Sequence, residues 1–182
     1  MIVLIGGTAS GKSSVLDALT NNWGYERIVT YTTRRPREGE KNDVDYHFID
    51  GLKFNELKDS GFFIETTEYE VATGEIWQYG TASEDLAPNK IIILNPYGLK
   101  RLREENALDI VTFYLFASPD VIRDRLERRG DAPDEAARRM KADKKDFEDI
   151  TEYVDFGINT SRYLSVNEIA NLIHNLYESR RS

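Results

Sequence analysis

Apolar residues along this chain fall into two kinds of pattern, and their alternation predicts the fold class. Ile2–Ile5 ("IVLI"), residues 27–31, 91–94 ("IIIL"), 109–117 ("DIVTFYLFA") and 156–158 are short runs rich in β-branched or aromatic residues. Such runs predict strands buried on both faces, as in a parallel sheet. Helical spacings lie between them. Residues 12–21 carry Val15, Leu16 and Leu19, and Ser118-Pro119 supplies an N-cap and a first-turn proline for a helix ending at Arg129-Gly130. Pro133 opens another helix, bearing Ala136, Met140, Phe147 and Ile150. Ser165 and Glu168 form a capping box before a last helix whose Ile169, Leu172, Ile173 and Leu176 face a core. The expectation is an α/β fold, a parallel sheet covered by helices on both faces.

From about residue 32 to 81 the pattern changes to a polar tract rich in Tyr and Glu. It predicts an exposed strand over 45–49, a short helix over 52–58, and a hairpin of strands 62–69 and 75–79 turning at Thr73-Gly74. This tract reads as an insertion into the sheet.

Composition narrows the class. With 182 residues, 40% apolar and 31% charged, one folded domain is expected. A formal charge of −8 argues against a nucleic-acid binder. No apolar run approaches the roughly 20 residues of a membrane span, and "MIVLIGG" lacks the basic start of a signal peptide. The chain has no cysteine, which excludes disulfides and thiolate metal sites. The expectation is a cytoplasmic protein with no membrane partner.

Directly after the first strand comes "GGTASGKSS", in which Gly6 is followed by four residues and then Gly11-Lys12-Ser13. This is the phosphate-loop pattern G-x-x-x-x-G-K-[ST] between a strand and a helix. Its glycines let the amides of Gly6, Gly7, Thr8, Ala9, Ser10, Gly11, Lys12, Ser13 and Ser14 turn inward on phosphate oxygens at a positive helix end. Lys12 would reach the β- and γ-phosphates, and the Ser13 hydroxyl would ligate Mg²⁺. The ligand expected is a nucleoside triphosphate with Mg²⁺, on a P-loop core.

"YTTRRPREGE", residues 31–40, places three arginines within four positions of this acidic chain. Pro36 favours an extended turn, so Arg34 and Arg37 can converge on one anion, the way guanidiniums grip a phosphate. Here the sequence resembles the guanylate kinase family, whose "TTR-x-PR-x-GE" and "DY-x-F" match "TTRRPREGE" and "DYHF". The match continues in order through Phe63-Ile64-Glu65, Tyr79-Gly80-Thr81, Arg125 to Gly130, Arg139-Met140 and Asn159.

The resemblance implies a core (1–31, 82–122 and 150–182), an acceptor-binding insert (32–81) and a helical lid (123–149). It implies that Arg34, Arg37, Tyr46 and Tyr79 hold the acceptor phosphate, that Thr30, Glu65 and Thr81 hold its base, and that Arg125, Arg129 and Arg139 close over the triphosphate. Lys12, Arg34, Arg125, Arg129 and Arg139 would be the catalytic set, with Asn159 on the ATP side. Arg123, Arg128 and Arg138 read as solvated partners of nearby acids, Arg35 as solvated, and His47 and His174 as structural.

The expected reaction is ATP-dependent phosphorylation of GMP or dGMP. Guanine presents two adjacent donors, and an ionised Glu65 offers two acceptors side by side. Phosphoryl transfer asks for positioning and charge neutralisation rather than a strong base, which suits a chain with two histidines and no cysteine. Alternatives are a non-catalytic phosphopeptide-binding module of the same fold, or a kinase for another small phosphorylated acceptor.

Two features depart from the family pattern. "IIILNPYG" offers Asn95 where an aspartate is expected, on the metal or the base. The segment from Glu65 to Tyr79 is several residues longer than usual, and its Ile76 and Trp77 either pack the hairpin or extend the acceptor wall.

Overall fold

The computed structural model describes residues 1–71, 74–105, 109–162 and 165–181. In chain order the strands are β1 (Ile2–Ile5), β2 (Glu26–Arg27), β3 (Tyr31–Thr32), β4 (His47–Phe48), β5 (Phe63–Glu70), β6 (Ile76–Ala82), β7 (Lys90–Leu94), β8 (Val111–Phe116) and β9 (Phe156–Asn159). The helices are α1 (Lys12–Trp23), α2 (Gly51–Asp59), α3 (Pro96–Glu104), α4 (Pro119–Arg129), α5 (Pro133–Asp146) and α6 (Val166–Arg181). Two compact units result: Met1–Arg27 with Asn89–Pro96 and Ile110–Ser182, and Ile28–Pro88 with Tyr97–Asp109. No helix among the described residues is long and apolar enough to cross a membrane.

The first unit holds a five-stranded sheet in the order β2-β7-β1-β8-β9, with every pair parallel. Because β1 lies in the middle, both its faces must be apolar, and all four of its side chains are fully buried. Ile2 and Leu4 pack on Val15, Leu16 and Leu19 of α1 and on Ile169 and Ile173 of α6. The capping box forms as expected: the Ser165 N–H donates to Glu168 and the Glu168 N–H to Ser165 Oγ.

The buried stripe of α6 is Ile169, Ala170, Ile173 and Tyr177, while Leu172 is 40% exposed, so Leu172 does not face the core. The stripe is turned toward Tyr177, whose ring meets Tyr25 edge-on at 5.8 Å. Likewise α5 stops at Asp146, short of Phe147 and Ile150. Phe147 leaves the helix to stack on Tyr114 of β8, 5.5 Å between ring centres.

The second unit is built on a four-stranded mixed sheet, β4-β3-β6-β5, in which β3–β4 is parallel and the two other pairs are antiparallel. Phe54 of α2 is fully buried and stacks on Phe63 at 4.8 Å. Residues 27–31 were expected as one strand; the chain instead leaves β2, paired with β7, and starts β3, paired with β4 and β6. A short β-branched run such as Ile28-Val29-Thr30 looks the same whether it completes one strand or links two. Of the expected hairpin turn, Thr73 lies outside the described residues, and Gly74 adopts φ +81. Helix α3 was not anticipated, although its Leu99 and Leu102 are buried.

Candidate functional site

In the first unit β1 runs straight into the phosphate loop, and α1 begins at Lys12. Gly11 caps that helix at φ +99, a conformation natural to glycine. Ala9 holds φ +52, which costs a residue with a Cβ about 1 kcal/mol or more. Its carbonyl is gripped from outside: Arg125 Nη1 donates to Ala9 O at 3.0 Å and to Thr160 Oγ1 at 3.1 Å, and Nη2 to Thr160 O at 2.9 Å. Thr160 Oγ1 in turn donates to Ser10 O at 3.1 Å. Arg125 therefore braces the loop.

Lys12 curls back so that Nζ donates to the carbonyls of Gly6 and Gly7, each at 2.7 Å. Burial pulls its pKa down to about 8; the Asp143 charge opposes that fall and the Arg129 charge adds to it. The Thr8 amide donates to Asp143 Oδ2 at 2.6 Å. Ser13 and Ser14 are exposed in the first turn of α1. No group of three or more acidic, histidine or cysteine side chains suited to a metal occurs among the described residues. A Mg²⁺ that rides on nucleotide phosphates and water needs only one or two protein oxygens, and Ser13 fits that requirement.

Asn95 stands one residue beyond β7, whose Leu94 lies opposite Ile5, so it belongs to the phosphate-loop end of the parallel sheet. Asn159 ends β9 and accepts from the Ser161 N–H at 2.9 Å.

Apart from Arg125, the arginines of α4 and α5 rest on acids. Arg123 pairs with Asp120, Arg128 with Asp124 and Arg138 with Glu135. Arg129 forks onto Asp131, and Arg139 holds Glu135 at 2.7 Å and Asp131 at 3.4 Å. Sequence reasoning picked out these cations and passed over Asp131 and Glu135. Glu135 stands four residues before Arg139, the spacing of such pairs, whereas Asp131 lies two residues after Arg129 and beyond the end of α4, where spacing gives no signal.

In the second unit the site is made of side chains. A register shift between Phe63 and Glu65 leaves Ile64 as the extra residue of a bulge and sets Glu65 opposite Thr81. Glu65 is only 6% exposed. Thr81 Oγ1 donates to its Oε1 at 2.5 Å and Thr67 Oγ1 to its Oε2 at 3.4 Å. Burial raises its pKa against both hydroxyls, and no cation among the described residues pairs with it. Thr67 was missed; its two-residue step from Glu65 along a strand puts both on one face.

Arg34 is 4% exposed, and its guanidinium forks onto Glu40 with two bonds of 2.9 Å. Its centre lies 5.2 Å from the Tyr46 ring, 5.6 Å from Phe48 and 6.0 Å from Trp77. Tyr79 meets Tyr46 edge-on at 6.0 Å. The exposed Arg37 donates its main-chain amide to Glu40 at 2.7 Å, so Glu40 receives the Arg34 guanidinium and the Arg37 backbone together. Arg35 is exposed. Trp77 flanks Arg34 while Ile76 is 59% exposed, so the two hairpin residues part company.

The Thr30 carbonyl accepts from the His47 N–H at 2.9 Å. His47 packs on Tyr31, and His174 stacks on Trp23 and bonds the Tyr25 hydroxyl at 2.9 Å.

The family model described as guanylate kinase matches residues 1–175. A guanylate kinase of Sus scrofa is 32% identical over 163 residues, covering 83% of this chain and 78% of its own length. One from Granulibacter bethesdensis is 30% identical over 181 residues, 95% of this chain and 83% of that protein. The solved guanylate kinase of Anaplasma phagocytophilum shares the fold at a TM-score of 0.73 and 24% identity, over 99% of this chain and 85% of that one.

Proposed function

Since this chain belongs to the guanylate kinase family, we propose that it transfers the γ-phosphoryl group of ATP to GMP or dGMP, giving ADP and GDP or dGDP. A phosphate oxygen of the acceptor attacks the γ-phosphorus, the bond to the β–γ bridging oxygen breaks, and ADP leaves with that electron pair. The observation that carries the guanine reading is Glu65, a buried carboxylate bonded only by hydroxyls. Ionised, it has acceptor capacity left for the N1–H and N2–H₂ of guanine. Adenine would set a lone pair at N1 against that charge.

The other roles follow from the chemistry of each side chain. The phosphate-loop amides and Lys12 hold the triphosphate, and Arg125 acts through the loop by bracing Ala9. Arg129 and Arg139 exchange their carboxylate partners for phosphate oxygens as α4 and α5, a mobile lid, close on the nucleotide. Bound Mg²⁺ would neutralise charge on the β- and γ-phosphates, with Ser13 as its protein ligand and Asn95 or Asn159 beside the ATP. In the insert, Arg37, Tyr46 and Tyr79 take the acceptor phosphate next to the fixed charge of Arg34, and Thr30 and Thr81 complete the base site.

The test is kcat/KM for GMP, dGMP, AMP, UMP and CMP with ATP as donor. GMP and dGMP are expected to exceed the others by about 10³-fold or more, as hydrogen-bonding sites reject mispaired analogues. A preference for AMP or a pyrimidine would overturn the guanine assignment.

A further inference from the structure

An anion already stands on the phosphate loop. Asp143, in the third turn of α5, reaches back so that its Oδ2 accepts the Thr8 amide at 2.6 Å. The approach is close enough that a Cβ on Gly7 would fall 2.9 Å from the same oxygen. A cavity of about 280 Å³ opens here, lined by Gly7, Thr8, Tyr114, Met140, Asp143 and Phe147 among others. The helix is fixed in this pose at its end too, where Phe147 stacks on Tyr114.

The charges around Asp143 come from two sides. Lys12 of α1 attracts it; on its own helix Arg139 attracts and Asp146 repels. Burial, helped by the Asp146 charge, carries the pKa of this carboxyl above the ordinary value, against the Thr8 amide, Lys12 and Arg139, which favour the ionised form. A carboxylate receiving a main-chain amide of a phosphate loop, with that loop's lysine close by, has the surroundings of a phosphate oxygen.

We infer that Asp143 is an intramolecular stand-in for nucleotide phosphate, so that α5 caps the phosphate loop until a polyphosphate displaces the carboxylate. Capping and nucleotide binding then exclude one another, because a second anion cannot share the Thr8 amide without like-charge repulsion. The lid helix thus carries arginines that favour the bound triphosphate and one aspartate that favours the empty site. ATP binds more weakly than the loop would allow by itself, and its release is assisted by a group waiting to return. This inference rests on the reading of residues 6–14 as the ATP site.

Calorimetric titration with ATP and with inorganic pyrophosphate, each with and without Mg²⁺, tests it on the wild type, Asp143→Asn and Asp143→Ala. Asn keeps the shape and removes the charge, and Ala is a good helix former, so at least one variant keeps α5 intact. Both variants are expected to bind ATP and pyrophosphate about 10-fold more tightly, the worth of a lost charge-assisted competitor. GMP affinity should not change, which separates the effect from a general loosening of the fold. Equal or weaker ATP binding in both variants would overturn the inference. So would weakening confined to solutions with Mg²⁺, which would assign Asp143 to the metal. A wild type that binds neither ATP nor pyrophosphate would refute the phosphate-site reading itself and the inference with it.

Discussion

The two units build their proposed sites from different materials. The parallel-sheet unit presents backbone: a loop of amides between β1 and α1, one lysine, and behind them an apolar core of Ile, Leu and Val. The mixed-sheet unit presents side chains, and it buries polar ones to do so: Thr32, Arg34, Glu65 and Thr81 are all less than 9% exposed. A backbone site recognises a generic oxyanion and is indifferent to what the phosphate is attached to. A site of buried side chains recognises one pattern of donors and acceptors, and it holds those groups away from water while it waits. The first unit should therefore lose function without losing stability when its one special side chain is removed; in the second unit stability and function should trade against each other.

Lys12→Ala gives the largest effect. Turnover should fall by about 10³-fold, comparable with removing a preorganised donor at a transition state, and the melting temperature of the ligand-free protein should not drop. A lysine whose folded pKa is depressed to about 8 destabilises the fold while charged, so its removal relieves a cost at neutral pH. A large loss of stability would break the contrast. Glu40→Ala comes next, in the other unit: it strands the buried Arg34 charge and should cost about 3 kcal/mol in thermal or urea unfolding, together with weaker acceptor binding.

Glu65→Gln should lower kcat/KM for GMP by about 10²-fold with ATP affinity unchanged, and should raise stability. The sign follows from the raised pKa: the folded state binds this proton more tightly than the unfolded chain, so wild-type stability falls as pH rises from the ordinary carboxylate range through the raised value. The variant has no such group, and its advantage should grow over that interval and then level off. A variant less stable than wild type at pH 8 would show that the threonine hydroxyls fully compensate the charge. The smallest effect is protonic. ATP restores the charged form of Lys12, so binding at pH 8 should take up about half a proton, read from calorimetry in two buffers of different ionisation enthalpy. No uptake would mean that Lys12 is already fully charged in the free protein.

The same difference decides what could be read in advance. The phosphate loop is contiguous, and the chemistry of Gly6 to Ser13 is local, so the motif carried it entire. Strands β1, β7 and β8 were legible because burial on both faces leaves a nearly unbroken apolar run. Glu65 was found through a family pattern, but its partner Thr67 and the bulge at Ile64 are properties of strand pairing that no single segment displays. Glu40 was read as part of a motif and not as the partner of the Arg34 guanidinium, because sequence spacing says which groups can meet and not which pair forms. Asp143 escaped for the same reason: 135 residues separate it from Thr8, and only tertiary packing brings them together.

The bulge at Ile64 acts as the reading frame of the mixed sheet. Beyond it the register runs without slip from Glu65↔Thr81 to Glu70↔Ile76, setting Glu65, Thr67 and Tyr69 on one face across from Thr81, Tyr79 and Trp77. Deleting one residue between Glu65 and Glu70 would turn every later side chain of β5 to the opposite face, whereas matched lengthening at the far end of the hairpin leaves each pair in place. A single insertion or deletion should be tolerated least between Glu65 and Glu70, and the hairpin tip should vary in length freely. The extra residues between Glu65 and Tyr79 lie on the permissive side of that frame, which is how this chain can carry them without moving Glu65, the carboxylate proposed to read the base.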